Sequence, residues 1–139
     1  MNKEQRTIEI LKYHNLRITS KRKDVLGLIV DYDSAIPFSH IQKELSNFDR
    51  VTLYRTMNSL LEKGVIHKIQ VEGTEIFYAL CGHTCDDKTH QHNHVHFHCS
   101  SCEKVHCLEP DSPLNIGLNG FQIENIEIQL QGVCNQCKQ

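Results

Sequence analysis

The chain has 139 residues, a length that suits one globular domain or two small ones sharing an interface. No apolar stretch approaches the roughly 18 residues of a membrane span, and residues 1–7 are too polar for a signal peptide, so we expect a cytoplasmic protein with no membrane partner. Seven cysteines in a reducing compartment favour metal binding or thiol chemistry over a disulfide framework.

The formal net charge of −2 hides a difference between the two parts of the chain. Residues 1–80 carry 12 Lys and Arg against 10 Asp and Glu, whereas residues 81–139 carry 3 against 7. The second part also holds all seven cysteines and seven of the ten histidines. This distribution predicts a mildly basic module that can approach phosphate and an acidic module rich in metal ligands, although the basic excess is too small to predict DNA binding by itself.

Four helices are predicted in the first module from apolar residues at helical spacing and from end signals. The first is a polar helix marked by Ile8 and Leu11. The end signals of the others are, in chain order, Thr19 or Ser20 as a cap, Pro37 and Ser39 as a start, and Asp49 and Gly64 as the two ends of the fourth helix.

The apolar period changes after Gly64. Residues 65–71 and 75–80 are rich in β-branched and aromatic side chains, and the Glu72-Gly73-Thr74 segment between them has turn character. Helices followed by a short hairpin predict a winged helix-turn-helix, which we expect to occupy residues 1–80.

The second module is composed differently. Residues 81–93 are polar and rich in Cys and His, and we interpret them as a hinge loop. Residues 94–98 and 104–108 are predicted strands on either side of a Cys knuckle, Pro110 and Pro113 bracket a turn into a short helix, and residues 121–131 are predicted to form one long strand. The fold class is therefore α+β, with a small α/β metal-binding domain at residues 94–139.

Two Cys-x-x-Cys hooks give the strongest chemical signal. Cys99 and Cys102 form the first, and Cys134 and Cys137 form the second. Four thiolates are the ligand set of a closed tetrahedral structural zinc site, which would fasten the C-terminal tail of a small domain. The alternatives are a thiol redox pair or two unrelated buried pairs, and the spacing favours zinc.

The fourth predicted helix carries polar side chains on or near the face opposite its apolar residues: Arg50, Thr52, Tyr54, Arg55 and Asn58. Arg and Asn can hydrogen-bond to base edges, Thr and Tyr can contact phosphates or thymine methyls, and a helix fits the major groove of DNA. An ordinary solvated face is the alternative that the pattern leaves open.

Four motifs in the same order resemble the ferric-uptake-regulator (Fur) family. They are Asp49-Arg50-Val51-Thr52-Leu53-Tyr54-Arg55-Thr56-Met57, Leu16-Arg17-Ile18-Thr19 with Arg22, His94-x-His96-x-His98-Cys99-x-x-Cys102, and Gly132-Val133-Cys134-x-x-Cys137. They cover almost the whole chain. The resemblance implies a homodimeric transcriptional repressor that binds a double-stranded DNA operator when a regulatory divalent metal binds near the hinge, with no small organic substrate.

The resemblance also indicates the regulatory ligands. His94 and His96 match the family's two strand histidines, and alternation points both side chains to one face. The iron-type pattern would add a histidine and a glutamate at positions that are here Ala35 and Ala79. The zinc-type pattern matches His67 and Cys81 instead.

One thiolate with three imidazoles suits Zn²⁺ better than Fe²⁺ or Mn²⁺. We therefore expect a repressor of the zinc-uptake-regulator (Zur) type that controls metal-uptake genes, with an iron- or peroxide-responsive regulator as the alternative. A thiol-based enzyme is a weaker alternative, because no βαβ unit follows a Cys-x-x-Cys motif and no Gly-rich turn suggests an oxyanion site.

Other candidate ligands are left with two interpretations. His83, Cys85, His90 and His92 lie in the hinge loop, where they either provide an alternative ligand or belong to a disordered metal-attracting loop, which the composition favours. Cys107 lies on a predicted strand, where a buried thiol is the favoured interpretation and a metal ligand the other.

Overall fold

The computed structural model describes residues 2–80, 95–109, 115–124 and 126–138. The chain forms two compact units, Met1–His90 and Gln91–Gln139. The predicted hinge loop at 81–93 and the candidate ligand His94 lie outside the described residues. No described helix is long and apolar enough to cross a membrane.

The first unit contains the four predicted helices and a small sheet. The helices are α1 (Lys3–Tyr13), α2 (Ser20–Asp31), α3 (Phe38–Glu44) and α4 (Arg50–Glu62), and the strands are β1 (Ile36–Pro37), β2 (Ile66–Gln70) and β3 (Ile76–Leu80).

Side-chain hydrogen bonds at their N-termini fix where three of the helices begin. Asn2 and Gln5 form a capping box at α1. At α2 the cap is Thr19, whose hydroxyl accepts a hydrogen bond from the Arg22 backbone N–H, so the sequence alternative Ser20 is the first helical residue instead. At α4 the cap is Asp49, as predicted.

The core of this unit is formed by apolar side chains from all four helices and from the sheet. Those that lose nearly all solvent contact are Leu11, Val25, Leu26, Ile36, Ile41, Leu60, Val65 and Ile66. The 3.6-residue spacing of these positions in the helices turns one stripe of each helix inward. The outward stripe of α4 is thereby presented to solvent.

The sheet of the first unit has the strand order β1-β3-β2, and both pairings are antiparallel. β2 and β3 form the predicted hairpin. β1 was not predicted: two residues, Ile36 and Pro37, pair with Tyr78 and Phe77 on β3. Helices and a hairpin packed around one core give the winged helix-turn-helix architecture.

The second unit contains a three-stranded sheet of β4 (Val95–Cys99), β5 (Val105–Leu108) and β6 (Ile128–Gly132). β4 is central, with β5 antiparallel on one side and β6 parallel on the other. The parallel register pairs Val95 with Ile128 and Cys99 with Gly132. Both β4 and β6 therefore end at the same edge of the sheet, where each runs into a Cys-x-x-Cys hook.

Two details of this unit differ from the sequence prediction. The long strand predicted at 121–131 is a strand only at Ile128–Gly132, where it pairs with Val95–Cys99, and the described residues before Ile128 are not in a strand. The segment 115–124 contains no helix, and Pro110 and Pro113, which were predicted to bracket the turn into a short helix, lie outside the described residues.

Candidate metal centre and DNA interface

The two Cys-x-x-Cys hooks converge. The sulfur atoms of Cys99, Cys102, Cys134 and Cys137 all lie within 4.8 Å of one another, and the Cys102 and Cys134 sulfurs are 3.8 Å apart. A tetrahedral Zn²⁺ site with Zn–S bonds of about 2.3 Å requires sulfur–sulfur distances of about 3.8 Å. The cluster can therefore accept a tetrahedral ion with little movement.

Backbone N–H groups stabilise the thiolate form of one cysteine of the cluster. The backbone N–H groups of Cys102 and Cys134 both donate to the Cys99 sulfur at 3.4 Å. These two hydrogen bonds lower the pKa of Cys99 to about 5. Cys99 therefore carries a thiolate at neutral pH, the form that binds metal.

A second thiol of the cluster shows the opposite behaviour. The Ser101 hydroxyl acts to lower the pKa of Cys137, but the sulfurs of Cys134 and Cys102 outweigh it and raise this pKa to about 11. Thiols this close cannot all ionise without a compensating cation. A bound divalent cation would remove that repulsion, so this donor set fits a soft, thiolate-binding metal.

The backbone also ties the two hooks together. Ser100, within the first hook, donates to the Gly132 carbonyl both from its backbone N–H at 2.7 Å and from its hydroxyl at 3.0 Å. Gly132 is the last residue of β6, two positions before Cys134. These contacts hold the second hook against the first through the protein chain itself.

The exposed face of α4 is the candidate DNA interface. Four of the five predicted contact residues, Arg50, Tyr54, Arg55 and Asn58, are exposed and share one stripe of the helix. Neither arginine forms an ion pair within the part of the chain that the structure describes. The guanidinium groups are thus presented to solvent rather than engaged in the fold.

Thr52, the fifth predicted residue, is already engaged in the helix cap. The Asp49 carboxylate accepts hydrogen bonds from the Thr52 backbone N–H and from its hydroxyl, both at 2.7 Å. These bonds hold the pKa of Asp49 below its ordinary value. The structure adds Val51 to the same face, 58% exposed, where a methyl group can contact a thymine methyl. The sequence could have indicated Val51 as a contact residue, because it lies one helical turn before Arg55 on the same side of α4.

His67 is the candidate regulatory ligand of the first unit. It lies on β2, is half-buried, and stands directly opposite Ala79 on β3. Ala35 and Ala79, which occupy the two iron-type ligand positions of the resemblance, are both buried and offer no donor atom in their side chains.

His96 is the candidate regulatory ligand that the structure describes in the second unit. It lies on β4, is half-buried, and stands directly opposite Cys107 on β5. The other two predicted ligands, Cys81 and His94, lie outside the described residues. From the sequence, Cys107 had two interpretations, a buried thiol and a metal ligand, because its pairing with His96 depends on the register of β4 and β5.

Comparison with protein families gives one match that spans most of the chain. The Ferric uptake regulator family matches residues 13–131. Among curated proteins, the ferric uptake regulation proteins of Staphylococcus aureus are 29% identical over 94% of this chain and 95% of their own length. The ferric uptake regulation protein of Staphylococcus epidermidis is 26% identical over 94% of this chain and 93% of its own length.

Solved structures give the same result. A zinc uptake regulator in complex with zinc and DNA is 26% identical, covers 96% of this chain and 91% of its own, and superposes with a TM-score of 0.64. The structure of holo XcZur is 21% identical, and the match covers 96% of this chain and 97% of its own. It superposes with a TM-score of 0.68, which supports the fold. The chain belongs to the ferric uptake regulator family of metal-responsive, DNA-binding transcriptional regulators.

Proposed function

We propose that this regulator is a zinc-sensing repressor of metal-uptake genes. The observation that carries the proposal is the pairing of His67 with Ala79. Where the iron-type pattern has a carboxylate at the end of the wing, this chain has a methyl group, and an imidazole stands directly across the hairpin. Imidazole and thiolate donors favour Zn²⁺, whereas carboxylates favour Fe²⁺ and Mn²⁺.

We propose His67, Cys81, His94 and His96 as the regulatory ligands, and Zn²⁺ in the Cys99, Cys102, Cys134 and Cys137 cluster as a structural ion. When bound, the regulatory ion supplies a cross-link between the DNA-binding and metal-binding modules. DNA affinity then depends on the fraction of molecules in the binding-competent arrangement. A coupling free energy of about 1–3 kcal/mol gives 5- to 150-fold control.

The zinc uptake regulator solved with zinc and DNA supports this proposal, because it is similar to this chain over almost the whole length. We accordingly propose that α4 enters the major groove of a DNA operator through Arg50, Tyr54, Arg55 and Asn58, with Thr52 at its border. The proposed compartment is the cytoplasm, where DNA and reduced thiols coexist.

We propose a homodimer built on the second unit. Leu108 on β5 and Leu130 on β6 project from the same face of its sheet and are each 50% exposed. Phe121, in the segment before β6, is 76% exposed. A second copy can cover this surface. Two recognition helices would then meet successive major grooves, roughly 34 Å apart.

An iron-responsive regulator is the second candidate, because the curated staphylococcal relatives at 26–29% identity are ferric uptake regulation proteins. The ligand chemistry of this chain argues against it. Both alanines of the iron-type pattern would have to be replaced by other donors for a site suited to Fe²⁺.

The deciding experiment measures DNA affinity at fixed salt with free Zn²⁺, Fe²⁺ or Mn²⁺ buffered in turn, on protein that already holds its structural zinc. The probe is DNA selected from a random pool. We expect zinc to tighten binding at free concentrations where Mn²⁺ and Fe²⁺ have no effect. A response to Fe²⁺ but not to zinc would overturn the zinc proposal and leave the regulator class intact.

A pair of variants tests the ligand assignment. Cys81→Ser should abolish the zinc response of DNA binding and leave one zinc equivalent on the Cys cluster. Cys85→Ser, in the same loop, is the matched control and should respond as the wild type does. If Cys81→Ser still responds fully, Cys81 is not a regulatory ligand.

A further inference from the structure

A lysine at the start of α2 lies beside the residues that lead into α4. The Lys21 ammonium stands 4.2 Å from the centre of the Phe48 ring, within the range of a cation–π contact. Phe48 is 8% exposed and directly precedes Asp49, the cap of α4. The ring therefore holds the end of a long side chain against a fixed part of the core.

The charge of Lys21 is felt at the cap of α4. Hydrogen bonds from Thr52 are the main cause of the lowered pKa of Asp49, and the positive charge of Lys21 lowers this pKa further. Both oxygens of the Asp49 carboxylate already accept hydrogen bonds from Thr52. Among the described residues, none forms an ion pair with Lys21, whose side chain is exposed. Its ammonium is thus available to an anion from outside the protein.

Phe48 connects Lys21 with the candidate DNA interface. Phe48, Arg50 and Tyr54 line one hollow of the surface. Arg50 and Tyr54 belong to the exposed stripe through which α4 is proposed to enter the major groove. Phosphate backbones border that groove on both sides, so a cation beside the entering helix is placed to meet phosphate.

The two basic residues that follow Lys21 are engaged elsewhere. The Arg22 guanidinium donates a hydrogen bond to the Arg17 carbonyl at 2.6 Å. Lys23 lies 3.6 Å from the Glu4 carboxylate on α1, and its position is about 200° from that of Lys21 around the helix. Lys21 is therefore the residue of the basic run 21–23 whose charge is directed toward α4.

We propose that Lys21 binds a DNA phosphate and that Phe48 positions it for this contact. The inference rests on the proposed DNA interface, because it adds a contact beside α4. The ring restricts where the ammonium can lie, so less conformational freedom is lost when the phosphate is bound. The contact contributes affinity and orientation but no sequence discrimination, since phosphates carry no base information.

The test measures the affinity of the full-length protein for DNA selected from a random pool, at several salt concentrations. The protein is loaded with whichever of Zn²⁺, Fe²⁺ and Mn²⁺ tightens its DNA binding. Lys21→Ala should reduce the slope of log affinity against log salt by about one for each bound protomer. Its loss of affinity relative to wild type should shrink about 3-fold per protomer as salt rises from about 50 to 200 mM.

Lys23→Ala is the matched control, because it removes the same charge from another side of α2. It should keep the wild-type slope. Lys21→Arg keeps both the charge and the ability to contact the ring, so it should also keep that slope. Thermal unfolding without DNA establishes that each variant is folded at the assay temperature.

A double-mutant cycle tests the positioning by Phe48. Phe48→Leu keeps an apolar side chain in the core but removes the ring. It should weaken DNA binding of the wild type and have no further effect in a Lys21→Ala background. Equal effects in the two backgrounds would show that Phe48 does not act through Lys21.

The remaining outcomes separate this inference from the proposed function. An unchanged slope in Lys21→Ala overturns the phosphate contact even if affinity falls, because a structural role through Asp49 leaves the number of bound phosphates the same. Equal reductions in Lys21→Ala and Lys23→Ala also overturn it. If Arg50→Ala lowers the slope and Lys21→Ala does not, the α4 interface stands without Lys21. If Lys21→Ala lowers it and neither Arg50→Ala nor Arg55→Ala does, Lys21 binds phosphate and the proposed α4 interface is wrong.

Discussion

The Glu75 carboxylate accepts two hydrogen bonds from Ser39, one from the backbone N–H at 2.7 Å and one from the hydroxyl at 2.9 Å. Glu75 immediately precedes β3 in the wing, and Ser39 is the second residue of α3. The cap position of α3 is Pro37, which provides no side-chain hydrogen bond. The wing therefore supplies the cap that the local sequence of α3 lacks.

Removing this carboxylate should lower the stability of the first unit. We expect Glu75→Ala to cost about 1 kcal/mol, since a charged acceptor is lost at a helix N-terminus. Ser39→Ala removes the hydroxyl bond but keeps the backbone one, so its cost should be smaller. Urea unfolding measures both, with Glu72→Ala as the control for charge. Equal stability of Glu75→Ala and Glu72→Ala would show that the contact contributes nothing.

The Asp49 cap predicts a pH dependence. Hydrogen bonds from the Thr52 backbone N–H and hydroxyl hold the pKa of Asp49 below its ordinary 3.8. Its stabilisation is therefore complete above the ordinary pKa and is lost as pH falls through the lower folded value. Asn caps a helix about as well but does not titrate. The thermal stability of wild type relative to Asp49→Asn should thus decline below about pH 4. If the difference in stability between the two proteins stays constant below that pH, the Asp49 carboxylate does not stabilise the helix through its charge.

Gly132 stands close to Phe97 across the parallel pair of strands. A Cβ at position 132 would lie 3.3 Å from Phe97 Cζ. For Gly132→Ala, the tight contact opposes a gain of about 0.4–1 kcal/mol from the stiffer unfolded chain, so we expect little net change. Gly132→Val should cost about 1–3 kcal/mol through overpacking. Denaturation of the zinc-loaded protein measures these costs. If the side chains at positions 132 and 97 collide, Gly132→Val should cost less stability in a Phe97→Leu background than in the wild type.

Two arginines of α4 should contribute to DNA affinity mainly through phosphate. Arg50→Ala or Arg55→Ala should each reduce the slope of log affinity against log salt by about one and weaken binding to all sequences alike. Lys43→Ala, which removes an exposed positive charge from α3 instead, is the matched control. An unchanged salt slope in both arginine variants would show that neither Arg50 nor Arg55 contacts DNA phosphate.

Asn58 is the candidate for base recognition, because an amide can hydrogen-bond bidentately to adenine. Asn58→Ala should lose about 1–3 kcal/mol of discrimination at one position of the selected DNA and leave the salt slope unchanged. Repeating the selection from a random pool with the variant would reveal that position. Selection of the same sequence with the same stringency would exclude a base contact by Asn58.

Features that depend on neighbouring residues could be predicted from the sequence. Asp49 and Gly64 define α4 to within two residues, because a cap acts over a single helical turn. The metal cluster was predicted because the Cys-x-x-Cys spacing itself places two thiols on one turn. These signals are local, so the rest of the fold does not alter them.

Features that depend on distant pairing could not be predicted. β1 exists because Ile36 pairs with Tyr78 on β3, and β6 is a strand because Ile128–Gly132 pair with Val95–Cys99 on β4. The proximity of His96 and Cys107 likewise follows from the register between β4 and β5. In each case the deciding partner is at least 11 residues away along the chain, beyond the range of a periodicity.

The parallel pairing of β4 and β6 places β6 at the edge of the described sheet. An edge strand with few buried side chains can slip in register or recruit another chain. All five residues of β6 are partly or fully exposed, so burial alone fixes its alignment weakly. A slip by one residue would turn Leu130 to the opposite face and draw Cys134 away from Cys99. An ion bound by both hooks therefore fixes the register of β6 against β4. Removing the ion with a strong chelator should make the protein prone to aggregation before the helices of the first unit unfold.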